Sequence, residues 1–551
     1  MPHSPKTQFL THTFAGGWAT DYGPTSRVGP DQGGNVAVPF LSAARNIEFD
    51  LTGAVRKAPG TSAHSDSTYF EPGGFFDILG VYDFWRQSGG STQHSIVVHT
   101  SSQTAKFGEI RADHNADGAY STLFYSAGGS LVEQLFTENF IPNYNQFDDF
   151  LIIGTYGNAG GASYNTPHTF DLTTYQRIGG GAPSFGFSCT HKSHVFAAGD
   201  PTNPSRLYYC VPGNPEDWTG VGSGSIDISL GDGDAITGLV SYKGVLIIFK
   251  GPYKGSIHRL NGSTDADFSL DPLSTSGVTA AWQNSIFQFG DDIGFVSPRG
   301  TVHSLSATDK FGGLTNAYLS LPINNYLKSH LNYTRHKYWW AVTNPSTGQV
   351  FITVSKAGSA KNNLLLVMDY RFLAMGESSP RWSYWDYFNA QSLALGVEYG
   401  NQHRILAGDD EGNIWKLDYP TRNHDGEGIT ATVTTPFLNY GDDYNTKTLN
   451  AISMGIVPRN DNDVDVTWTR DTGLPQTLAQ SQAAEVILDV FQLDVDYLTD
   501  GVLNPRFVQT EEGGSFRSVQ YSLTDDNLYS NFELYSIGAL VTVDSPSMEN
   551  S

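Results

Sequence analysis

Three short clusters of carboxylates are the residues of this 551-residue chain whose types and spacing could perform chemistry most directly. They are Glu216-Asp217, Asp291-Asp292 and Asp409-Asp410-Glu411. Two carboxylates about 5–10 Å apart can hydrolyse a glycosidic bond, one as the acid and the other as the nucleophile or base. However, each cluster lies in or beside a turn that contains Gly or Pro, where Asp commonly accepts backbone hydrogen bonds. The sequence therefore favours a structural role for the three clusters.

A further acidic segment has the oxygen spacing of a calcium-binding loop. Asp461, Asp463 and Asp465 alternate with Asn460 and Asn462, and Ca²⁺ prefers oxygen ligands of this kind. The segment lacks the glycine at the sixth position and the distal glutamate of an EF-hand. Its period of two also places Asp463 and Asp465 on one face of a strand, so a solvated strand is the favoured interpretation.

Aromatic residues are concentrated in one region of the chain and could stack against sugar rings. They are Trp339, Trp340, Trp382, Tyr384, Trp385, Tyr387 and Phe388. Aromatic side chains also bury large apolar areas and dominate the interiors of proteins. Because packed sheets need large rings between them, core packing is the favoured interpretation.

Three smaller groups indicate neither a metal site, nor a nucleotide site, nor a disulfide framework. His191 and His194 are close in sequence but lack the cysteine spacing of a zinc site. The glycine run 179–181 lacks the lysine and the Ser/Thr of a phosphate loop. Cys189 and Cys210 could pair across a hairpin, but two cysteines make no disulfide scaffold, and buried thiols are favoured. We predict no catalytic residue, no metal ligand and no cofactor.

The segment 236–260 shows best how the chain is organised. Turn signals at 242–244 and 251–255 enclose the run 245–249, Val-Leu-Ile-Ile-Phe, which is apolar on both alternating faces. Such a strand is buried on both sides. Each sheet of a lone β-sandwich has one solvated face, whereas the radially stacked blades of a β-propeller bury strands on both faces. The segment therefore predicts an antiparallel meander within a propeller.

The same hairpin pattern recurs along the chain at intervals of about 45–65 residues, close to known propeller repeat lengths. Clear copies run over 293–305 and 404–417, and weaker copies begin at Ser95, Phe150, Ser193 and Lys337. A single helix is predicted after Leu321, because Pro322 stands at a helix start and is followed by apolar residues at helical spacing.

These patterns predict an all-β protein with three parts. The parts are an N-terminal arm (1–34), a β-propeller of about six to seven irregular blades (35–425) and a C-terminal β-sandwich-like domain (426–551). The arm contains turn residues and little that could form a core. Residues 429–434 and 464–468 alternate as half-buried strands do, which is typical of a sandwich, whereas 483–498 fits a helix and a strand equally well.

The chain is strongly acidic. Its 32 basic and 56 acidic residues give a net charge of −24, and 19 acidic and 5 basic residues lie from position 426 onward. An acidic surface repels phosphate, so the composition argues against an ordinary nucleic-acid-binding protein. We expect neither a secretion signal, since no basic and apolar leader is present, nor a membrane span, since no run of about 18 apolar residues occurs.

Four stretches resemble the tail nozzle, or tail hub, proteins of short-tailed bacteriophages. They are 43–60 (AARNIEFDLTGAVRKAPG), 242–250 (YKGVLIIFK), 295–312 (FVSPRG to KFG) and 513–517 (GGSFR). These stretches are spread over most of the chain and consist mainly of turn residues. Because the matching motifs are not catalytic in that family, the resemblance assigns no catalytic residue.

The resemblance implies a structural, non-enzymatic protein of the virion. It implies a homo-oligomeric ring, commonly of six subunits, that lies below the portal and its adaptor and encloses the DNA exit channel. Viral DNA would pass through this ring without tight binding, and tail fibres or a central needle or plug would be further neighbours. The alternative is a propeller that binds or cleaves carbohydrate at a host surface, and a third reading is a bacterial propeller scaffold.

Overall fold

The computed structural model describes the chain between residues 6 and 543 with gaps. The described residues are 6–14, 16–20, 40–65, 76–88, 91–102, 110–113, 121–127, 130–133, 140–157, 167–275, 277–311, 318–377, 379–398, 402–418, 422–440, 445–459, 463–471, 473, 475–482, 504–509, 515–528 and 531–543. The segment 483–498, for which the sequence left helix and strand open, lies outside them.

The N-terminal part of the chain is built into sheets that the C-terminal part completes. Its strands are β1 (Lys6–His12), β2 (Ala43–Arg45), β3 (Ile47–Phe49), β4 (Val55–Lys57) and β5 (Gly60–Ser65). Both β1 and β4 pair with the C-terminal segment Asn531–Val543, and β2 pairs with Ala431–Thr434. Thus β4 joins a sheet of C-terminal strands, whereas β2 lies between β30 (Arg381–Trp385) and Ala431–Thr434 and pairs with both.

One expectation for the N-terminal arm is wrong. The sequence predicted little core there, yet the side chains of Phe14 and Trp18 are buried in the largest hydrophobic cluster. The Trp18 ring contacts the rings of Tyr326 and Tyr384, with centroids 4.7 and 5.0 Å apart. Such contacts, which depend on residues about 300 positions away, leave no local pattern in the sequence.

Five sheets stand as separate blades of a β-propeller-like ring, so the all-β, propeller-like class is confirmed. Blade 1 contains β6 (Phe76–Ser88), β7 (Ser91–Ser102), β8 (Ile110–Asp113) and β9 (Ser121–Thr122). A separate hairpin of β10 (Phe124–Ala127) and β11 (Ser130–Glu133) follows, and blade 2 then contains β12 (Ile141–Phe147), β13 (Phe150–Tyr156), β14 (His168–Phe170) and β15 (Tyr175–Arg177). Blade 3 contains β16 (Phe187–His191), β17 (His194–Ala198), β18 (Arg206–Tyr209) and β19 (Gly224–Asp227). Blade 4 contains β20 (Ala235–Tyr242), β21 (Val245–Gly251), β22 (Ser256–Asn261) and β23 (Ser269–Ser274). Blade 5 contains β24 (Ile286–Phe289), β25 (Asp292–Val296) and β26 (Val302–Ser304). In each blade, consecutive strands pair antiparallel.

Blade 4 contains the doubly buried strand that the sequence predicted. Leu246 and Ile248 of β21 pack in a cluster shared with blade 3, whereas Ile247 and Phe249 pack in a cluster shared with blade 5. The turn before β21 is formed by Lys243 and the following glycine with φ of 46° and 82°, which is the left-handed conformation of a tight hairpin turn.

Two larger sheets follow blade 5 along the chain. Their strands are β27 (Trp340–Asn344), β28 (Gln349–Val354), β29 (Leu364–Asp369), β30 (Arg381–Trp385), β31 (Ser392–Glu398), β32 (Gln402–Gly408), β33 (Ile414–Asp418), β34 (Asn423–His424) and β35 (Glu427–Gly428). The N-terminal strand β5 pairs with β33 and so lies at the outside of β31–β33. The first strands of blades 1 to 4 contact each other in turn, and β20 contacts the 3₁₀ turn Gln283–Ser285 just before β24. From there β24 contacts β27, β27 contacts β31, and β31 contacts β6 of blade 1. The strands thus return to the start of the ring.

The C-terminal strands form two sheets that share one hydrophobic cluster. The strands are β36 (Ala431–Thr434), β37 (Lys447–Arg459), β38 (Asp463–Arg470), β39 (Gln476–Gln482), β40 (Asn504–Gln509), β41 (Ser515–Phe516), β42 (Val519–Asp525) and β43 (Asn531–Val543). One sheet has nine strands in the order β27-β28-β29-β30-β2-β36-β42-β38-β39, and the other contains β3, β4, β43, β37 and β40 with β1 and β41. Tyr521 of β42 and Leu534 of β43 are fully buried in that cluster.

Helices are few and short in the described ranges. They are α1 (Leu305–Phe311), α2 (Asn324–His330) and α3 (Arg371–Ala374), with 3₁₀ turns at Gln283–Ser285, Leu321–Ile323 and Tyr333–Tyr338. The helix predicted after Leu321 is confirmed, since a 3₁₀ turn leads directly into α2 and buries Ile323 and Leu327. Among the helices of the described ranges, none is both long enough and apolar enough to span a membrane.

Candidate functional site

Residues at or beside the starts of β6, β12, β27 and β31 lie together at one end of the ring, which we call the entry face. A cavity of about 90 Å³ opens there. It is lined by Asp77, Leu79, Phe140, Ile141, Arg335, Tyr338, Trp340, Ala360, Lys361, Asn362 and Gln391. A water molecule occupies about 30 Å³ of liquid volume, so the cavity has room for a few waters but not for a sugar ring.

A lysine holds the charges at this cavity together. The Nζ atom of Lys361 lies 2.8 Å from the Asp77 carboxylate and 3.5 Å from that of Asp410. Burial disfavours the charge on Lys361, but its hydrogen bond and attraction to Asp77 prevail and raise its pKa above the ordinary value. The ion pairs therefore join the segment before β29 to the start of blade 1 and to the turn between β32 and β33, beside a cavity too small for a saccharide.

Among the carboxylates 409–411, Asp409 is buried and forms a turn, whereas Asp410 and Glu411 lie nearer the surface. The Asp409 carboxylate accepts hydrogen bonds from the backbone nitrogens of Glu411 and Asn413, at 2.9 and 2.7 Å, and from the indole nitrogen of Trp415 at 2.8 Å. Burial and the neighbouring carboxylates raise the pKa of Glu411. Asp409 thus closes the turn between β32 and β33, the role that the sequence favoured.

Glu216 and Asp217 also have structural roles, Glu216 between two blades and Asp217 within its own loop. Glu216 accepts hydrogen bonds from Thr169 Oγ1 and Gln176 Nε2, both at 2.8 Å, so it ties blade 2 to blade 3. Asp217 accepts from the backbone nitrogens of Thr219 and Gly220 at 3.0 Å, and these bonds lower its pKa.

The third cluster closes the end of blade 5. Asp292 accepts hydrogen bonds from Ser304 Oγ at 2.5 Å and from the backbone nitrogen and hydroxyl of Ser306 at 3.1 and 2.8 Å. The backbone oxygen of Asp291 accepts from the Tyr242 hydroxyl at 2.8 Å. Each of the three clusters therefore acts within its own blade or between neighbouring blades, and the structure does not bring them together into one site.

We predict that Asp409 and Asp410 differ in their contribution to stability. Asp409→Ala removes acceptors from two backbone nitrogens and an indole nitrogen, so it is expected to destabilise the protein by about 1–3 kcal/mol. Asp410→Ala serves as the matched control and should have a small effect, because the ion pair of Asp410 with Lys361 is long and partly exposed. Thermal unfolding of both variants measures the difference. Equal melting temperatures would contradict the assigned role of Asp409.

The aromatic residues lie mainly in the cores, as the sequence favoured. Trp339, Trp382 and Trp385 are fully buried. The indole nitrogen of Trp382 donates to the Leu319 carbonyl at 3.0 Å, and that of Trp385 donates to the Ile47 carbonyl at 2.9 Å. Tyr384 and Tyr387 are partly buried and Trp340 and Phe388 largely so; these rings do not form an exposed platform for sugars.

The histidines and cysteines of blade 3 are core residues. His191 and His194 are buried, the first bonded to Ser241 Oγ at 2.7 Å and the second to the Cys210 carbonyl at 2.8 Å. Burial, followed by the neighbouring charge of Lys192, lowers the pKa of His191 to about 4. Both cysteines are free thiols, and no cluster of potential metal ligands occurs in the described ranges.

The acidic segment 460–465 lies only partly within the described residues. Residues 460–462 lie outside the described ranges, and Asp463 begins β38. Val464 and Val466 are buried while Asp465 is exposed, which is the alternation of a half-buried strand. The preferred interpretation as a strand is therefore confirmed from Asp463 onward.

A second, larger cavity was not indicated by any sequence motif. It measures about 450 Å³ and lies between the β3–β4 hairpin, the turn from β27 to β28 and the start of β32. We call it the junction cleft, and it is lined by Glu48, Phe49, Asp50, Arg56, Pro59, Asn344, Ser346, Thr347, Gln349, Phe351, Arg371, His403, Arg404, Ile405 and Leu417. Its walls come from segments about 300–350 positions apart in sequence, and local patterns carry no information about such contacts.

Comparison with models of known protein families and with curated proteins found no match. Comparison with solved structures found distant similarities. An exo-β-1,3-galactanase from Phanerochaete chrysosporium in complex with β-1,3-galactotriose is 10% identical over 88% of this chain and 99% of its own, with a TM-score of 0.28. The Trypanosoma rangeli sialidase in complex with the inhibitor DANA is 8% identical over 91% and 94%, with a TM-score of 0.28. The Dos1 propeller is 11% identical over 69% and 92%, with a TM-score of 0.34. At these TM-scores, the similarities say nothing about the activity of the chain.

Proposed function

We propose that the chain is a structural subunit of a short-tailed phage virion, a tail nozzle that assembles into a ring, commonly of six, around the DNA exit channel. The observation that carries this proposal is the nine-stranded sheet, which runs without interruption from β27 through the N-terminal strand β2 into the C-terminal strands. Continuous backbone hydrogen bonding makes propeller and C-terminal sheets resist relative movement. A conduit under pressure requires such stiffness, whereas a binding module on a flexible linker does not.

Side chains reinforce this continuous sheet where β2 crosses it. Asp386, which follows β30, accepts hydrogen bonds from Arg45 Nε at 2.9 Å and from Asn46 Nδ2 at 3.2 Å. The Lys57 ammonium, which is fully buried, donates to the Asn527 carbonyl at 2.7 Å and lies 3.8 Å from Asp525. Because a buried charge is costly unless it is paired, these contacts hold the N-terminal segment in one position against the end of β30 and the segment after β42.

The proposal includes a finer description of the fold. The strand sets β27–β30 and β31–β33 with β5 continue the five separate blades, which makes the ring a propeller of about seven blades. The facing C-terminal sheets form a β-sandwich, in which alternate residues point into the shared cluster. Closure of the last blade by the N-terminal strand β5 leaves the ring no free seam between its first and last blades.

The acidic composition suits a channel through which DNA slides. Lysine and arginine contacts to phosphate release counterions and create affinity, which would hold the DNA in place. In the proposed ring, some carboxylates of the C-terminal region or of the propeller turns face the lumen. Their repulsion is screened over ~8 Å at physiological salt, so it acts on DNA close to the wall. The adaptor above the ring, and the fibres, needle or plug, are the proposed neighbours.

The test is the assembly state of the full chain and its place in the virion. Light scattering after size-exclusion chromatography should give six copies of the 60.0 kDa chain, electron microscopy should show a closed ring, and antibodies against the chain should label the tails of particles. Duplex DNA should bind weakly at physiological salt. A chain that stays monomeric and is missing from the tails would contradict the proposal. A tightly DNA-binding ring would contradict the sliding channel.

A further inference from the structure

The junction cleft has the properties of a binding site and shares no lining residue with the cavity at the entry face. Its volume of about 450 Å³ falls within the range of about 300–1,000 Å³ that is typical of small-molecule sites. The cleft is formed where two sheets of the ring meet the β3–β4 hairpin, so its walls belong to strands and tight turns. A site on such rigid elements needs little ordering when a ligand binds.

Two polar residues beside the start of β28 indicate that the cleft accepts a polar ligand. Gln349 opens β28, is only 5% exposed and lines the cleft. The next residue, Val350, belongs to the main hydrophobic cluster. Thr347 also lines the cleft, and within the described part of the chain its buried hydroxyl oxygen makes no hydrogen bond. A buried polar group that stays unpaired costs about 1–3 kcal/mol, and a ligand hydroxyl or water in the cleft would relieve that cost.

Neighbouring turn residues add further donors and acceptors. Asn344 is 6% exposed, and its side-chain oxygen accepts from the backbone nitrogen of Ser346 at 3.0 Å. The Ser346 hydroxyl is 3.0 Å from Nδ1 of His403, which orients the imidazole at the start of β32 beside this turn. Amide, hydroxyl and imidazole groups thus converge on one space from β28, its preceding turn and β32.

The arginines of the cleft are held in place by carboxylates. Arg371 forms a paired contact with Asp369, at 3.0 Å from Nε and 2.6 Å from Nη2, and Nη2 also donates to the Phe49 carbonyl. The hydrogen bond to Asp369 raises the pKa of Arg371. Arg56 lies 3.2 Å from Asp50 on its own hairpin. These guanidinium planes are therefore fixed and point their edges in defined directions.

The charges in and directly behind the cleft balance. Four arginines lie there, Arg56, Arg371, Arg404 and Arg422, and four carboxylates oppose them, Glu48, Asp50, Asp369 and Glu533. A cleft without excess positive charge offers a free anion little net attraction in place of its hydration. The same planar groups remain able to form paired hydrogen bonds with neutral hydroxyls.

We propose that the junction cleft binds a neutral saccharide of about one or two sugar units. A sugar presents adjacent hydroxyl groups, each a donor and an acceptor, which match the carboxamides of Asn344 and Gln349, the His403 imidazole and the guanidinium edges. This site is separate from the three carboxylate clusters and involves no bond cleavage. It goes beyond the proposed nozzle function and does not depend on it.

Titration of the full-length protein with neutral sugars tests the site. The probes are glucose, galactose, N-acetylglucosamine, lactose and maltose, with glucuronate and inorganic phosphate as charged probes, and binding is followed by saturation-transfer NMR and calorimetry. At least one neutral sugar should bind saturably, with a dissociation constant in the millimolar range. Gln349→Leu should weaken that binding about tenfold or more, since it removes hydrogen bonds worth about 1–3 kcal/mol.

Gln288→Leu is the matched control, because Gln288 is exposed on β24 of blade 5 and does not line the cleft. It should leave sugar binding unchanged, and both variants should melt close to the unaltered chain. His403→Ala is a second variant, on β32, and should also weaken binding. The proposal is overturned if no neutral sugar binds, if Gln349→Leu and His403→Ala leave binding unchanged, or if only glucuronate and phosphate bind.

Discussion

Ile247→Asp is expected to abolish soluble folding of the chain. The side chain of Ile247 is 1% exposed and packs with Phe249, Ile293 and Phe295 between blades 4 and 5. An aspartate there would bury a charge without a partner, or its protonated form without a hydrogen bond, at a cost of several kcal/mol. The net stability of a protein is only about 5–15 kcal/mol, so one such substitution removes most of it.

The measurement is the soluble fraction after expression, followed by thermal unfolding of whatever is recovered. Arg259→Asp is the matched control, because Arg259 lies directly opposite Ile247 on β22 yet is exposed. It introduces the same carboxylate at the same register of the sheet but leaves it in water. Native yield and melting of the Ile247→Asp protein would show that β21 is not buried on both faces in solution.

The strand that this prediction concerns was readable from the sequence because its signal is local. Five consecutive apolar residues bounded by turn residues leave no polar face, and the requirement for a sheet on either side follows from the chain alone. The same holds for the turn carboxylates. Asp409 stands between two strand patterns and close to a glycine, and its hydrogen bonds go to residues two to six positions later.

The sheet that the N-terminal segment joins could not be predicted in this way. β2 has only three residues, yet it pairs with β30 on one side and β36 on the other, about 340–390 positions away. Backbone pairing is nearly independent of side-chain identity, so a short alternating pattern indicates a strand without naming its partner. The resemblance of 43–60 to nozzle proteins likewise does not indicate which sheet the segment joins.

The junction cleft could not be predicted from the sequence for the same reason. In the sequence, Gln349 is an ordinary polar residue after a turn, and His403 is one of 15 histidines. Their proximity depends on the packing of β28 against the sheet of β31–β33, where Phe351 and Ile405 share a cluster. Sites of this kind are determined by the tertiary arrangement of sheets, whereas motifs report residues that are close along the chain.

Lys250→Met is expected to lower the stability of the propeller by about 3–5 kcal/mol, the usual cost of removing one partner of a buried ion pair. The Lys250 side chain has no exposed surface. Its ammonium donates to the carbonyls of Ile228 and Ser229, at 2.7 and 3.1 Å, and to the Asp232 carboxylate at 2.8 Å. Methionine fills a similar volume, so the loss reflects the unpaired acceptors and not a cavity.

The turn between β21 and β22 offers a control with an identical change of charge. Lys254 is exposed, and its backbone nitrogen donates to the Asp234 carboxylate at 2.9 Å. Lys254→Met should therefore melt within about a degree or two of the unaltered chain, since exposed charges contribute about 0–1 kcal/mol. Lys250→Met should melt several degrees lower in the same scan. If the two variants have the same melting temperature, the segment 228–234 between blades 3 and 4 does not depend on the buried ammonium. The hydrogen bonds to Asp234 must then hold this segment without it.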